Sequence, residues 1–526
     1  MLQLILVAVV IGVLFYYYGV KPLSYWKERG VKQTNPWWLC GDNWGVVLQR
    51  QSFPDLVLKG YKTAPEARYS GMYQFTLPTL VITDIDLIKQ LGVKDFDYFM
   101  DHRSFIPEKA DPLWGKNLFA LTGQRWKEMR PILSPSFTSS KMKSMFMLMS
   151  ECGEKLVKFF MEKDQNAIEI EMKDTLTRYT NDVIASAAFG VQIDSLNNTE
   201  NEFYLMGKNA TNFRGFWRTM KLFGYMIIPK IFEFFKVTLF DMNVRRFFTE
   251  LISGTIKIRE EKGIIRPDMI HLLMQARKGI HQKEEKVVDA GFAVVQESNL
   301  ESKVVATEMT DLDICAQALI FFFAGFETVS STMCFVAHEL ACNPDVQSRL
   351  RDEIRETLDQ CNGKVTYEAM LKMKYLDMVI SESMRKWPAV IAVDRICTKP
   401  YTLEPATLDE KPLHLDKGTI IWFPIYGLHR DPKHYPDPER FDPERFSDEN
   451  KGNINPYAYL PFGVGPRNCI GSRFALLEMK VLFFHLLANF EIVPGPKTEI
   501  PLRICKKQFG LTAENGFWFN LKKLKN

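Results

Sequence analysis

The pattern of apolar and polar positions divides the chain before any motif is considered. From Met1 to Tyr18 the sequence MLQLILVAVVIGVLFYYY carries no charge, and its one strongly polar side chain is Gln3. At about 1.5 Å per residue such a run just spans a bilayer core of about 30 Å. Tyr16, Tyr17 and Tyr18 suit a headgroup interface. Lys21, Lys27, Arg29 and Lys32 follow the run and no basic residue precedes it, which places the remainder on the cytosolic side. A cleaved secretory signal would need a basic start, a shorter apolar run and a small-residue cleavage site, and the sequence shows none of them. Residues 1–20 are therefore expected to be an uncleaved transmembrane anchor. Residues 21–50, with Pro22, Pro36, Trp37, Trp38 and Trp44, are expected to be a membrane-proximal linker. The sequons at Asn197 and Asn209 should then carry no sugar, because a cytosolic domain never meets the transferase.

Beyond the linker, residues 55–95 alternate and turn (YQFTLPTLVITD), which predicts a small sheet. Residues 120–390 follow helical periods. The longest run opens at Thr310, with Asp313 completing a capping box, and stops near Cys342 ahead of Pro344. That helix is apolar enough to suggest a second membrane span, but Glu327 at its midpoint and Gln317 would be costly in lipid, so a buried core helix is expected. Residues 395–465 are rich in proline and predict short strands and an irregular loop, and helix resumes at 470–490. A length of 526 residues suggests about three domains. No Gly/Ser-rich linker or internal repeat divides the chain, so residues 51–526 are expected to form one mainly α domain with a minor β-sheet part.

Composition narrows the function. An apolar fraction of 46% can fill a large core, and 67 basic against 63 acidic residues give no reason to expect a nucleic-acid partner. Nine cysteines without a C-x-x-C argue against a disulfide scaffold or an all-cysteine zinc site. One of them has a special setting. In Phe462-Gly463-Val464-Gly465-Pro466-Arg467-Asn468-Cys469-Ile470-Gly471, two glycines and a proline force a turn just before an apolar helix. Backbone N–H groups and the helix dipole near that start favour a thiolate at Cys469. Gly471 allows close approach to a flat ligand, and Arg467 offers positive charge.

This loop resembles the haem-ligand signature F-x-x-G-x-R-x-C-x-G of the cytochrome P-450 haem-thiolate monooxygenases, matched by Phe462, Gly465, Arg467, Cys469 and Gly471. Further landmarks of that family follow in its order along the chain. Glu382-Ser383-Met384-Arg385 places an acid and a base on one helix face. By itself this could be a bland surface pair, whereas the resemblance puts it inside, locked to Arg445 of Pro438–Phe446 in a structural clamp. Ala324-Gly325-Phe326-Glu327-Thr328 is similar to the family's oxygen-activation motif. There Ala324 and Gly325 let the helix pass close over the haem, and Glu327 and Thr328 are implied as the catalytic acid and hydroxyl for proton delivery. Val329 departs from the Thr or Ser often found at its place. Trp126 and Arg130, four apart on a helix, and Arg395 are implied to bind the haem propionates, with a solvent-exposed arginine as the alternative at Arg395.

The resemblance implies the P-450 fold, with haem b between the long central helix and the Cys469 loop, and Cys469 as the axial iron ligand. It implies an O2-dependent microsomal monooxygenase at the endoplasmic reticulum, supplied with NADPH electrons by a flavoprotein reductase, with cytochrome b5 as an optional second donor. No G-x-G-x-x-G fingerprint suggests a built-in dinucleotide site. The phrases FFFAGFETVSST and PSFTSSKMKSM resemble insect members that act on plant toxins and insecticides, which implies lipophilic xenobiotic substrates. Substrate contacts are expected near 100–122, 318–326, 389–394 and 507–511, including Phe105, Leu118, Phe119, Phe322, Phe323, Val390, Ile391 and Phe509. Phe203, Phe213, Trp217, Phe234 and other aromatics of 203–240 are expected either in the core or at a membrane-dipping surface. A haem-thiolate isomerase or dehydratase, an endogenous hormone or pheromone hydroxylase, and a haem sensor or carrier are the rival readings.

Overall fold

The computed structural model describes residues 1–104, 106–212, 216–266, 268–278, 292–293, 309–408 and 410–524. Phe105 and Phe213 lie outside these described residues.

The helices that frame the site are α1 (Leu2–Phe15), α2 (Gly123–Leu133), α3 (Ser139–Met161), α4 (Met172–Ile184), α5 (Glu202–Thr211), α6 (Phe216–Ile227), α7 (Asp311–Cys342), α8 (Lys374–Lys386) and α9 (Ser472–Asn489). All of α1 is exposed, as its apolar composition requires of a helix with no protein to bury it. The expected capping box opens α7: the Thr310 hydroxyl accepts from Asp313 N–H while the Asp313 carboxylate accepts from Thr310 N–H. This helix is buried along most of its length, packed against α4, α5 and α8. A buried core helix rather than a second span is what these contacts describe. Phe322 sits in a ring cluster with Phe189, Phe203, Phe248 and Phe326, with centroids 5.1–6.0 Å apart. The expected substrate contact at Phe322 is therefore overturned, since its ring is fully buried among core aromatics.

The small sheet joins distant parts of the chain. Strands β1 (Tyr69–Gln74) and β2 (Leu77–Ile82) form a hairpin in register Tyr69↔Ile82. The strand Ile420–Phe423 adds in parallel to β2, with Thr79↔Ile420, and Val393–Ile396 closes the other edge antiparallel. A second sheet pairs Ala167–Glu171 and Phe490–Val493 with Trp518–Lys523.

Parts of residues 21–50 pack onto this sheet. Trp26 is fully buried, donates from its indole to Met72 O, and lies so close to Gly71 that a Cβ there would meet its ring at 2.5 Å. Asp42 accepts from Tyr73 N–H at 2.9 Å and pairs with Lys59 at 2.8 Å.

Candidate functional site

The Cys469 loop is built by its own backbone. Gly465 adopts φ 70°, and a Cβ there would sit 1.9 Å from Gly92 O, so only glycine permits this approach. Gly465–Arg467 forms a short 3-10 turn, and Cys469 N–H closes the loop on Phe462 O at 2.9 Å. Phe462 packs against the main core and anchors the loop's entry. The Cys469 residue is exposed, while its loop neighbours Arg467 and Asn468 are buried. Burial pushes the thiol up from its ordinary range, while the Gly471 N–H and the Arg130 charge pull it back. Desolvation is the largest effect on the thiol, and the helix-start N–H group works against it in the direction that favours a thiolate.

Three buried guanidiniums converge around the loop. Arg130 donates to both oxygens of Asn468, at 3.0 and 2.8 Å. Arg467 donates to the carbonyls of Met100, Leu118 and Leu121 and stacks 4.3 Å over Trp126. Arg395 is fully buried, not solvent-exposed, and donates to Asp394 O and Val464 O. Burial lowers Arg467 to about 9, with the Arg395 charge adding to the effect, and burial lowers Arg395 to about 10. The acids nearby are Asp101, 3.6 Å from Arg467, and Asp394, which is itself tied to His102 at 3.0 Å. Burying this much positive charge is costly unless an anion meets it. Among the described residues the Arg395 Nε has no hydrogen-bond partner, and a Cβ on Gly471 would meet only the Phe137 ring at 3.7 Å. A flat group with carboxylates fits this donor set.

Two bridges tie the loop to α7. Arg467 donates to Leu118 O while Leu118 N–H donates to Gln317 of α7 at 2.8 Å. The Phe137 ring faces Gly471 and lies 5.5 Å from Phe321 of α7. On this helix Ala324 and Thr328 are exposed amid buried neighbours, one turn apart, and the Thr328 hydroxyl donates to Ala324 O. Gly325 packs on α4, where a Cβ would meet Ile184 at 2.9 Å, so its smallness serves helix packing and not a bound ring. Glu327 does not bond Thr328. Its carboxylate pairs with Lys173 of α4 at 3.0 Å and accepts from Ser331 at 3.4 Å. Lys173 also donates to the Ser330 and Ser331 hydroxyls, at 2.8 Å each. Its place in the sequence, on a polar stretch of a surface-like helix, carried no signal of this role.

A cavity of about 800 Å³ opens beside Glu327 and Thr328, walled by Phe223, Phe326, Phe509 and Leu511 and rimmed by Lys208 and Lys506. Of the four stretches expected to contact substrate, 507–511 lines it, 318–326 contributes Phe326 and 389–394 contributes Ala389, whereas 100–122 contributes no described residue. Leu118 and Ile391 are buried, Phe323 packs on Trp114 at 5.8 Å, and Phe119 stacks on His102 at 4.8 Å.

Beneath the loop, Glu382 and Arg385 are both fully buried and joined by two 2.8 Å hydrogen bonds. Glu382 also accepts from Asp442 N–H at 3.0 Å and lies 3.6 Å from Arg445. Sequence reasoning missed His429. Its Nδ1–H donates to Arg385 O at 3.1 Å and its Nε2 accepts from Leu460 N–H at 2.9 Å, which fixes one neutral tautomer. Burial holds it down at about 3.

An exposed thiol on a loop held by buried arginines and tied to a long buried helix suits a haem-thiolate type of centre. Residues 34–519 match the family model Cytochrome P450. The chain belongs to the cytochrome P450 family, whose members bind haem iron through a cysteine thiolate and act as monooxygenases. Its relatives are insect proteins. Cytochrome P450 9e2 of Blattella germanica is 46% identical over 97% of this chain and 96% of its own length. Probable cytochrome P450 9f2 of Drosophila melanogaster is 42% identical over 97% and 96%. Cytochrome P450 6k1 of Blattella germanica is 37% identical over 98% and 95%.

Proposed function

We propose that this protein uses O2 and NADPH to hydroxylate or epoxidise lipophilic small molecules, xenobiotics such as plant toxins or insecticides among them. A separate flavoprotein reductase delivers the electrons, with cytochrome b5 as a second donor. Residues 51–526 work on the cytosolic face of the endoplasmic reticulum. The observation that carries this reading is the Cys469 loop, whose thiol is exposed, whose three neighbouring arginines are buried, and which is tied through Leu118 to the long helix that carries Ala324 and Thr328.

Haem bound through Cys469 supplies O2 activation and oxygen transfer. Arg130, Arg395 and Arg467, with the Trp126 indole beneath Arg467, hold its carboxylates. Thr328 carries a proton on a hydroxyl that its own helix carbonyl already orients. Glu327, tied to Lys173, stands at the cavity wall as the neighbouring acid. Phe223, Phe326 and Phe509 exclude water and hold apolar surface beside that hydroxyl.

The test is reconstitution with reductase and NADPH and a screen of lipophilic compounds for oxygenated products. In the reduced protein with carbon monoxide, the red-shifted Soret band of thiolate ligation is expected, and Cys469→Ser should lose it. A band retained by that variant places the ligand elsewhere.

A further inference from the structure

The end of the anchor is gripped from two sides. Past α1 the chain runs on as helical turns through Tyr16–Val20, Lys21–Ser24 and Tyr25–Glu28 without an extended break. On one side Trp26 locks this run to the sheet: its N–H donates to the Tyr73 hydroxyl at 3.0 Å and its indole is buried over Gly71. On the other side Leu39 returns to the anchor. Leu39 N–H donates to Gly19 O at 3.1 Å, and Gly19 is so closely covered that a Cβ would lie 2.7 Å from Leu39 Cδ2. Leu39 has φ 60°, a conformation a bulky side chain rarely adopts, and its contact on Gly19 offsets that strain. The hairpin presenting Leu39 is itself fixed to the domain through Gly41, where a Cβ would strike Phe75 O at 2.1 Å, and through Asp42 on Tyr73.

Latching Leu39 on Gly19 fixes where its neighbour goes. Trp38, 63% exposed, meets the Phe15 ring edge-on at 5.9 Å. Phe15 is the last residue of α1, immediately before the tyrosine belt at Tyr16–Tyr18. We infer that Gly19 and Leu39 form a rigid latch joining anchor to catalytic domain, and that the latch drives Trp38 into the lipid interface at the depth of the anchor's last apolar turn. Trp37, stacked on Trp44 at 4.9 Å, backs it from the domain side. The partner is the acyl–headgroup boundary of a bilayer, since this surface is continuous with the anchor and ends in exposed indoles. The inference rests on α1 being the membrane anchor.

The experiment uses the full-length holoprotein in phosphatidylcholine vesicles containing lipid brominated near the top of the acyl chain. The Trp38 signal is the fluorescence difference between wild type and Trp38→Phe. In wild type most of that signal should be quenched. Gly19→Leu and Leu39→Gly should each release the quenching while keeping the carbon monoxide spectrum of the folded domain, and Leu39→Met should retain it. Leu39→Gly also relieves the left-handed strain, so loss of quenching there cannot be blamed on a weakened fold. Vesicle binding with Trp38 unquenched, or equal quenching in all variants, overturns the latch. Failure of the wild type to bind vesicles would remove the anchor reading, and the latch with it.

Discussion

At the scale of single residues, Thr328 carries the sharpest expectation. It is exposed at the cavity and its hydroxyl is held by Ala324 O, so Thr328→Ala removes a positioned proton without disturbing packing. Alanine also improves helix propensity, and no folding defect is expected. Loss of one such group costs about 10²–10⁴-fold when nothing replaces it, and water recovers part of that. NADPH use should continue while product per NADPH falls and hydrogen peroxide rises. Unchanged coupling would reduce Thr328 to a packing residue. Ser330 cannot stand in, because it is buried and its hydroxyl is committed to Phe326 O and Lys173. Residues of this kind were legible in the sequence because they belong to short motifs. Cys469, Glu382 and Arg385 fall into that group. Lys173, Asn468 and His429 were not legible: each acts through a partner more than forty positions away, and no local spacing announces such a pair.

Elements were readable where one physical rule dominated. Capping chemistry placed the start of α7 at Thr310, and hydropathy placed α1. What the sequence did not show in residues 21–50 is their packing on the sheet, because the burial of Trp26 is a long-range fact that no local spacing announces. Between α8 and the loop below it, the ion pair sets the energetics. Arg385→Ala leaves Glu382 buried without its partner, which costs about 3–5 kcal/mol, so chemical denaturation should show a large loss of stability. Arg385→Lys should recover little, because lysine cannot repeat the two-pronged contact.

His429 adds a pH dependence at the same junction. Its pKa in the folded state is about 3, below the ordinary 6.5, so the unfolded chain binds the extra proton between those values. Stability therefore falls as pH drops below about 6.5, by about 1.4 kcal/mol per unit from this group, and levels off near 3. Denaturant titrations across that range should show a shallower slope for His429→Gln than for wild type. Equal slopes would mean that other groups carry the acid sensitivity.

For the molecule as a whole, orientation across the membrane is the first quantity to measure. Protease added to sealed microsomes should digest the catalytic domain, and Asn197 should remain free of sugar. A protected domain or a glycosylated Asn197 reverses the topology. The parallel pairing of β2 with Ile420–Phe423 has a consequence for synthesis. The hairpin leaves the ribosome early, but its partner follows roughly 340 residues later, on the order of tens of seconds at ordinary translation speed. Throughout that delay the outer edge of β2 at Thr79-Leu80-Val81 has no strand beside it, since β1 covers only the other edge. Production of this protein should thus be limited by how well chaperones shield that edge, and slowing translation between residues 82 and 420 should lower the yield of folded holoprotein more than slowing it after 423.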